Sequence, residues 1–332
     1  MSETTTVGIV QARSVFMNLD ASLARAEDLI EQAARKGAKL IVFGETWLPG
    51  YPAWLDHSPQ AALWNHEPTR EVFAELRRNS VVVPGKETEI LAAVARKHGV
   101  TLVIGINERV RQGAGNGTLY NSLLTFGADG TLLNHHRKLI PTYTERLVWG
   151  QGDAAGLRAV ETSAGRVGGL VCWEHWMPLA RHTLHTSGED LHVAVFPTVH
   201  EMHGVASRHY AFEGRCFVLA AGLIMRVSDA PEQLPVADGH GSGLGGELTT
   251  SPENLLLRGG SCIIAPDGSY VVEPVFDEET IITAELDLTL IDKEKMTLDV
   301  SGHYSRPDVF DVRVNRDGRK KASDTPLIRE AI

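Results

Sequence analysis

A chain of 332 residues, 43% hydrophobic and 22% charged, has the balance of an ordinary soluble globular protein with ample material for a core. Its formal net charge of −10 argues against a nucleic-acid backbone as partner, and the one basic cluster, Arg319-Lys320-Lys321, reads as a solvated tail. Three scattered cysteines (Cys172, Cys216, Cys262) argue against a disulfide framework; with no signal-like N-terminus and no apolar run long enough for a bilayer, the reading is cytoplasmic, with no membrane partner.

In chain order, residues 5–12 (TTVGIVQA) predict a first strand. Asp20 and Ser22 offer N-caps to a helix reaching about Lys36, with Leu23, Ala26, Leu29, Ile30 and Ala33 at helical spacing and Gly37 as the stop. Leu40 to Phe43 is an apolar run expected of a strand covered on both faces. The segment 46–85 is irregular and Pro-rich, then helical around 68–78; a helix over 86–98 ends at Gly99, and 101–106 (TLVIGI) is the next strand. Two hairpins are expected, NSLLTFGADGTLLNHHRKL turning at Asp129-Gly130 and GSCIIAPDGSYVVEPV turning at Asp267-Gly268. Between them lie strands GRVGGLVCW and LHVAVFP, a helix over 177–187, a helix over 205–215 and strand CFVLAAGLIM. Residues 228–253, rich in Gly, Pro and Ser, predict a long loop; IITAELDL is a late strand, and the tail after 312 is polar. No repeat or linker divides the chain. The reading is one α/β domain over 1–332, with its core at 5–312 and a tail at 313–332.

Three short segments carry chemistry. In GGLVCWEHWMPL an apolar strand ends at Cys172 and a helix begins near Pro178, a favoured first helical residue. A free thiol has a pKa of about 8.5, so a cysteine nucleophile needs a base or a cation beside it. Taken alone, Cys172 reads as an inert buried residue, as Cys216 and Cys262 do. Likewise Glu45, in FGETWLPGYP, reads alone as a strand-end carboxylate, and Lys138, in HHRKL, as a surface charge.

Taken together and in this order, the segments resemble the nitrilase superfamily of carbon–nitrogen hydrolases, and its nitrilase branch most closely. That branch's active-site motif is similar to Cys-Trp-Glu-His-Trp-Met-Pro-Leu from Cys172, and its C-terminal signature to Gly302-His303-Tyr304-Ser305-Arg306-Pro307-Asp308. The resemblance implies a four-layer α-β-β-α sandwich, two mixed sheets face to face with helices outside. It implies Cys172 as nucleophile, Glu45 as general base, Lys138 as the stabiliser of developing charge, and Glu145 as the group that positions lysine and substrate. It implies that Tyr51, Trp149, Trp173 and Pro197 line the substrate pocket, with the Trp173 N–H assisting the tetrahedral intermediate. The partner implied is a small-molecule nitrile, with no cofactor and no metal, and the chain is expected to form homodimers or a larger homo-oligomer or spiral. Residues 56–78 and 228–253 are candidate insertions for such assembly.

Rival readings are weaker. Histidines at 135, 136, 175, 182 and 185 gather near the site, yet no HExxH or paired CxxC appears, and His200 and His203 have the wrong spacing for one helical face. No GxSxG elbow is present. Within the resemblance, an amidase shares the same three residues, and other members release the amide or act on cyanide. A scaffold or filament subunit is the non-enzymatic alternative. Trp47, Trp54 and Trp176 read equally as lining or as core.

Overall fold

A computed structural model describes residues 4–113, 115–236 and 254–317. The first half of the chain runs β1 (Thr4–Gln11), α1 (Leu19–Arg35), β2 (Leu40–Phe43), a short α2 (Trp54–His57), α3 (Glu67–Arg78), β3 (Val81–Val82), α4 (Lys86–His98), β4 (Thr101–Arg109), β5 (Leu119–Phe126) and β6 (Leu132–Arg137). The second runs β7 (Val160–Thr162), β8 (Gly165–Val171), α5 (Pro178–His185), β9 (Leu191–Val195), α6 (Glu201–Gly214), β10 (Phe217–Ala221), β11 (Ile224–Arg226), β12 (Leu255–Ile264), β13 (Tyr270–Phe276), β14 (Thr280–Asp287) and α7 (Thr289–Lys295).

Among the described residues these strands form two sheets. One has the order β14-β1-β2-β4-β5-β6, with β3 on β4; the other has the order β11-β12-β10-β9-β8-β7, with β13 on β12. The period of two along each strand sorts side chains to opposite faces. In β2, Ile41 and Phe43 join the core under α1 and α4, while Leu40 and Val42 join the core shared with the second sheet. In the second sheet Gly169, Val193 and Leu219 form one row, and Leu123 of the first sheet packs against Gly169. The neighbouring row, Gly168, His192 and Val218, faces α5 and α6. Two sheets packed face to face, each covered outside by helices, give four layers, as the resemblance implied.

Several boundaries differ from expectation. Helix α1 is capped by Asn18, whose side chain accepts from the Ala21 N–H, rather than by Asp20 or Ser22. Ser22 is buried, and its hydroxyl donates to the Val15 carbonyl. Helix α6 begins at Glu201, earlier than the apolar pattern suggests, because only its inner face needs apolar residues. The strand CFVLAAGLIM breaks at Gly222 into β10 and β11, where the backbone passes too close to Gly259 for any side chain. Of the expected loop 228–253, residues 237–253 lie outside the described residues, as do 318–332 of the tail. Residues 56–78 hold the end of α2 and then α3, which buries Val72 and Leu76.

Candidate active site

The three candidate residues, Glu45, Lys138 and Cys172, lie one or two positions beyond the ends of strands β2, β6 and β8. The fold brings the first two into contact with Glu145. Lys138 Nζ donates to Glu45 Oε1 at 2.9 Å and to Glu145 at 2.7 Å and 3.0 Å. All three side chains are buried. Glu145 is held from other sides by the Tyr51 hydroxyl at 2.9 Å and the Thr142 N–H at 2.7 Å. Asn121 donates to Glu45 Oε1 at 2.6 Å, which leaves Glu45 Oε2 buried without a hydrogen-bond partner.

Cys172 opens a 3-10 turn, Cys172–Trp176, and has φ of 52°, a left-handed conformation that few side chains other than glycine adopt. Burial pushes its thiol well above the ordinary range, and the Glu45 charge adds to this; Lys138 and the Trp173 N–H oppose them. Burial, with the Glu145 charge, also lifts Glu45 to about 7 against the pull of Lys138 and Asn121. Lys138 is raised too, for the opposite reason: burial disfavours its charge, but Glu145 and Glu45 outweigh it and the ammonium is held firmly. The resting site therefore pairs a protonated thiol with a fixed cation and a carboxyl group poised to exchange a proton near neutrality.

A cleft of about 840 Å³ opens over this cluster. Tyr51, Glu145, Cys172, Trp173 and Pro197 line it, with Leu55, Ile140, Met177, Leu256 and Leu257 supplying apolar wall. Glu45 and Lys138 are not part of that wall; they sit behind it. Trp149 departs from expectation. It is buried, donates through Nε1 to Asn107 Oδ1 at 2.8 Å, and meets Tyr51 edge-on at 5.8 Å, so it backs a lining residue instead of lining the cleft. Trp47 and Trp54 are core residues, Trp47 donating to the Ala12 carbonyl. Residues 302–308 are mostly exposed and do not line the cleft.

Two groups at the site escaped the sequence reading. Asn121 shows only as a polar residue within the apolar strand β5. Glu174 lies inside the Cys-Trp-Glu-His segment, fully buried. It accepts from the Val171 N–H at 2.7 Å and the Leu139 N–H at 2.8 Å, and meets His136 Nε2 at 3.0 Å. It thereby ties the residue before Cys172 to the residue after Lys138. Its carboxylate is held low: burial resists the charge, but His136 and the two N–H donors prevail. The neighbouring His135 and Arg137 point the other way, to Glu108. Among the described residues, no group of three or more His, Cys, Asp or Glu side chains is arranged to hold a metal ion.

The chain as a whole is similar to known proteins. The family described as carbon-nitrogen hydrolase matches residues 6–295. The chain is 40% identical over 317 residues to Nitrilase 2 from an unknown prokaryotic organism, covering 95% of this chain and 94% of that one. It is 38% identical to an aliphatic nitrilase of Sinorhizobium fredii strain HH103, covering 93% and 95%. It is also 38% identical to a bifunctional nitrilase/nitrile hydratase of Lupinus angustifolius, covering 92% and 84%. Among solved structures, a carbon-nitrogen hydrolase from Helicobacter pylori G27 shares the fold with a TM-score of 0.64 at 19% identity, covering 92% of this chain and 96% of that one.

Proposed function

This chain belongs to the carbon–nitrogen hydrolase family and to its nitrilase branch, and from that premise we propose that it converts an organic nitrile to the carboxylic acid and ammonia through a covalent intermediate on Cys172. It is a hydrolase of carbon–nitrogen bonds other than peptide bonds. The observation that carries the finer reading is Lys138 bridging Glu45 and Glu145, with Glu45 Oε2 left unpaired in electrostatic reach of the Cys172 thiol.

A nitrile carbon is a weak electrophile, and the thiol is protonated at rest, so attack needs concerted removal of the proton. Glu45 takes the proton as sulfur bonds to the nitrile carbon and passes it to the nitrile nitrogen, giving a thioimidate and a free carboxylate. Water then adds to that carbon, giving up a proton to Glu45. The nitrogen takes that proton and then the adduct's hydroxyl proton, relayed by Glu45, as the C–N bond breaks, so that ammonia leaves and the thioester carbonyl remains. A second water cleaves the resulting thioester, which releases the acid and restores the thiol. Lys138 supplies a fixed positive charge in a dry setting, where such stabilisation is large. Glu145 holds the lysine, Tyr51 holds Glu145, and Trp173 and Pro197 bound the substrate. If the adduct instead breaks its C–S bond, the amide is released. The bifunctional relative from Lupinus angustifolius favours keeping that second outcome in view.

The same reading takes residues 1–332 as a single domain working in the cytoplasm as a homo-oligomer. Exposed Leu179 on α5 and Met202, Val205 and Phe212 on α6 support the last point. The test is a panel of aliphatic, aryl and arylacetonitriles with the matching amides, followed by ammonia and acid release. Turnover of at least one nitrile is expected, and Cys172→Ala is expected to abolish it. Ammonia from amides alone would overturn the substrate class, and turnover surviving Cys172→Ala would overturn the nucleophile.

A further inference from the structure

Behind the Cys172 turn, on the face of the second sheet that packs on α5 and α6, runs a buried string of polar side chains that the chemistry above does not use. His175 Nδ1 lies 2.7 Å from the Cys172 carbonyl oxygen. His175 Nε2 lies 3.0 Å from His192 Nε2, and His192 Nδ1 lies 2.9 Å from Glu189 Oε2. The Tyr210 hydroxyl donates to the other oxygen of Glu189, and the Tyr210 ring stacks on His192. All four of these side chains are buried.

Hydrogen-bonding capacity decides where the protons sit. A carbonyl oxygen only accepts, so His175 Nδ1 carries hydrogen. Burial, with His192 nearby, holds His175 well below the usual histidine range, so its Nε2 is a bare lone pair. His192 Nε2 must then donate to it. His192 Nδ1 faces a carboxylate, which also accepts. Burial disfavours the Glu189 charge, but His192 and His185 hold that carboxyl down at about 2. The His192 ring is thus held with Nδ1 toward Glu189 and Nε2 toward His175.

The string closes on itself. His185 stands 3.6 Å from Glu189 and 3.2 Å from Glu213. Arg181 donates to Glu213 at 2.8 Å and returns to the His175 carbonyl at 3.0 Å. Room has been cleared for it: any side chain at Gly168 would collide with the Glu189 carboxylate, and one at Gly214 with the His185 ring. Both ends of the loop thus grip the turn that begins at Cys172, whose left-handed backbone persists only where its surroundings over-determine it.

We propose that Glu189, His192 and His175 form a positioning relay. It commits His175 to the tautomer that donates to the Cys172 carbonyl, and so holds the nucleophile's backbone in the conformation that presents its sulfur to Glu45 and Lys138. The proposal rests on Cys172 being the nucleophile.

The test uses the full-length protein and substitutions that separate donor position from packing. His175→Asn keeps an amide N–H where Nδ1 stands; its kcat should stay within about threefold of wild type. His175→Gln fills the imidazole volume better but places its amide near the Nε2 position; its kcat should fall about 100-fold with KM nearly unchanged, the scale expected of a small misplacement at a reacting centre. A packing role ranks the two the other way. A second pair guards against misfolding. His192→Gln keeps a donor toward His175 and His192→Met does not, while both lose the bond to Glu189; Gln should exceed Met in kcat by about tenfold or more. Equal kcat within both pairs, or Gln above Asn at 175, overturns the relay. The rate of Cys172 alkylation by iodoacetamide, read from peptide mass, needs no nitrile and should follow the same rankings. Wild type inactive on every nitrile with the alkylation ranking intact sinks the substrate reading and leaves the relay standing. Normal nitrile turnover with no ranking in either readout does the reverse.

Discussion

Glu45 shows how one side chain acquires a working proton affinity. Burial and the Glu145 charge raise it from 4.5 to about 7, and Lys138 and Asn121 restrain the rise. A base must be deprotonated to accept a proton, so kcat/KM should climb as pH rises through about 7. Glu45→Gln should lower kcat by at least about 100-fold, the lower end for a positioned general base, and should remove that limb from any residual rate. The stability consequence has the opposite sign. The folded chain holds this proton more tightly than the unfolded one, so it binds more protons between about 4.5 and 7. This group's contribution is complete below the unfolded pKa and is lost as pH rises through the folded one. Urea unfolding at pH 5 and pH 8 checks it: wild type should lose stability relative to Glu45→Gln on going to the higher pH. An unchanged difference would mean Glu45 titrates alike in both states.

At the level of elements, the site is an agreement between strand ends. Strand β8 delivers Cys172 and strand β6 delivers Lys138, but no backbone ladder pairs those two strands. Glu174 joins them by accepting from Val171 on one side and Leu139 on the other. A glutamine there carries one acceptor and one donor, so one N–H would face another N–H. Glu174→Gln should therefore cost about 1–3 kcal/mol, the usual price of a buried unpaired polar group, with kcat falling in parallel as the two ends loosen. Urea midpoints and initial rates measure both. Lost stability with wild-type kcat would show that the clamp serves the fold alone.

At the level of the whole molecule, one residue staples the two sheets. Gln11, at the end of β1, is buried between them. Its Nε2 donates to the Val275 and Glu278 carbonyls at 3.0 Å each, and its Oε1 accepts from the Ser261 N–H at 2.9 Å. Gln11→Leu keeps the bulk and strands those backbone groups, so a loss of about 2–4 kcal/mol is expected, more than one unpaired group but less than three full penalties if water reaches some of them. Chemical denaturation monitored by tryptophan fluorescence reads it; a midpoint within error of wild type would remove Gln11 from the closure of the sandwich.

Much of this architecture is written in local pattern. Continuous apolar runs such as Leu40–Phe43, the turns at Asp129-Gly130 and Asp267-Gly268, and Gly99 closing α4 in the left-handed conformation are set by neighbours a few residues apart. The three strand-end residues and Glu145 were also legible, because each sits in a distinctive short segment. Partnership was not. Glu45 and Lys138 are 93 positions apart, and Gln11 and Ser261 are 250 apart. No periodicity reaches that far. Trp149 read as cleft wall because a tryptophan near a site carries no direction in sequence; only packing against Tyr51 and Asn107 decides that it stands behind. His175 read only as one of several histidines gathered near the site, and His192 carried no signal at all. Hydrogen-bond direction, which needs atoms brought together in three dimensions, is what turns them into an ordered string ending on Cys172. The sequence by itself determined the elements and the chemical types at their ends; the tertiary structure alone decided which of those groups meet, and hence which proton each one holds.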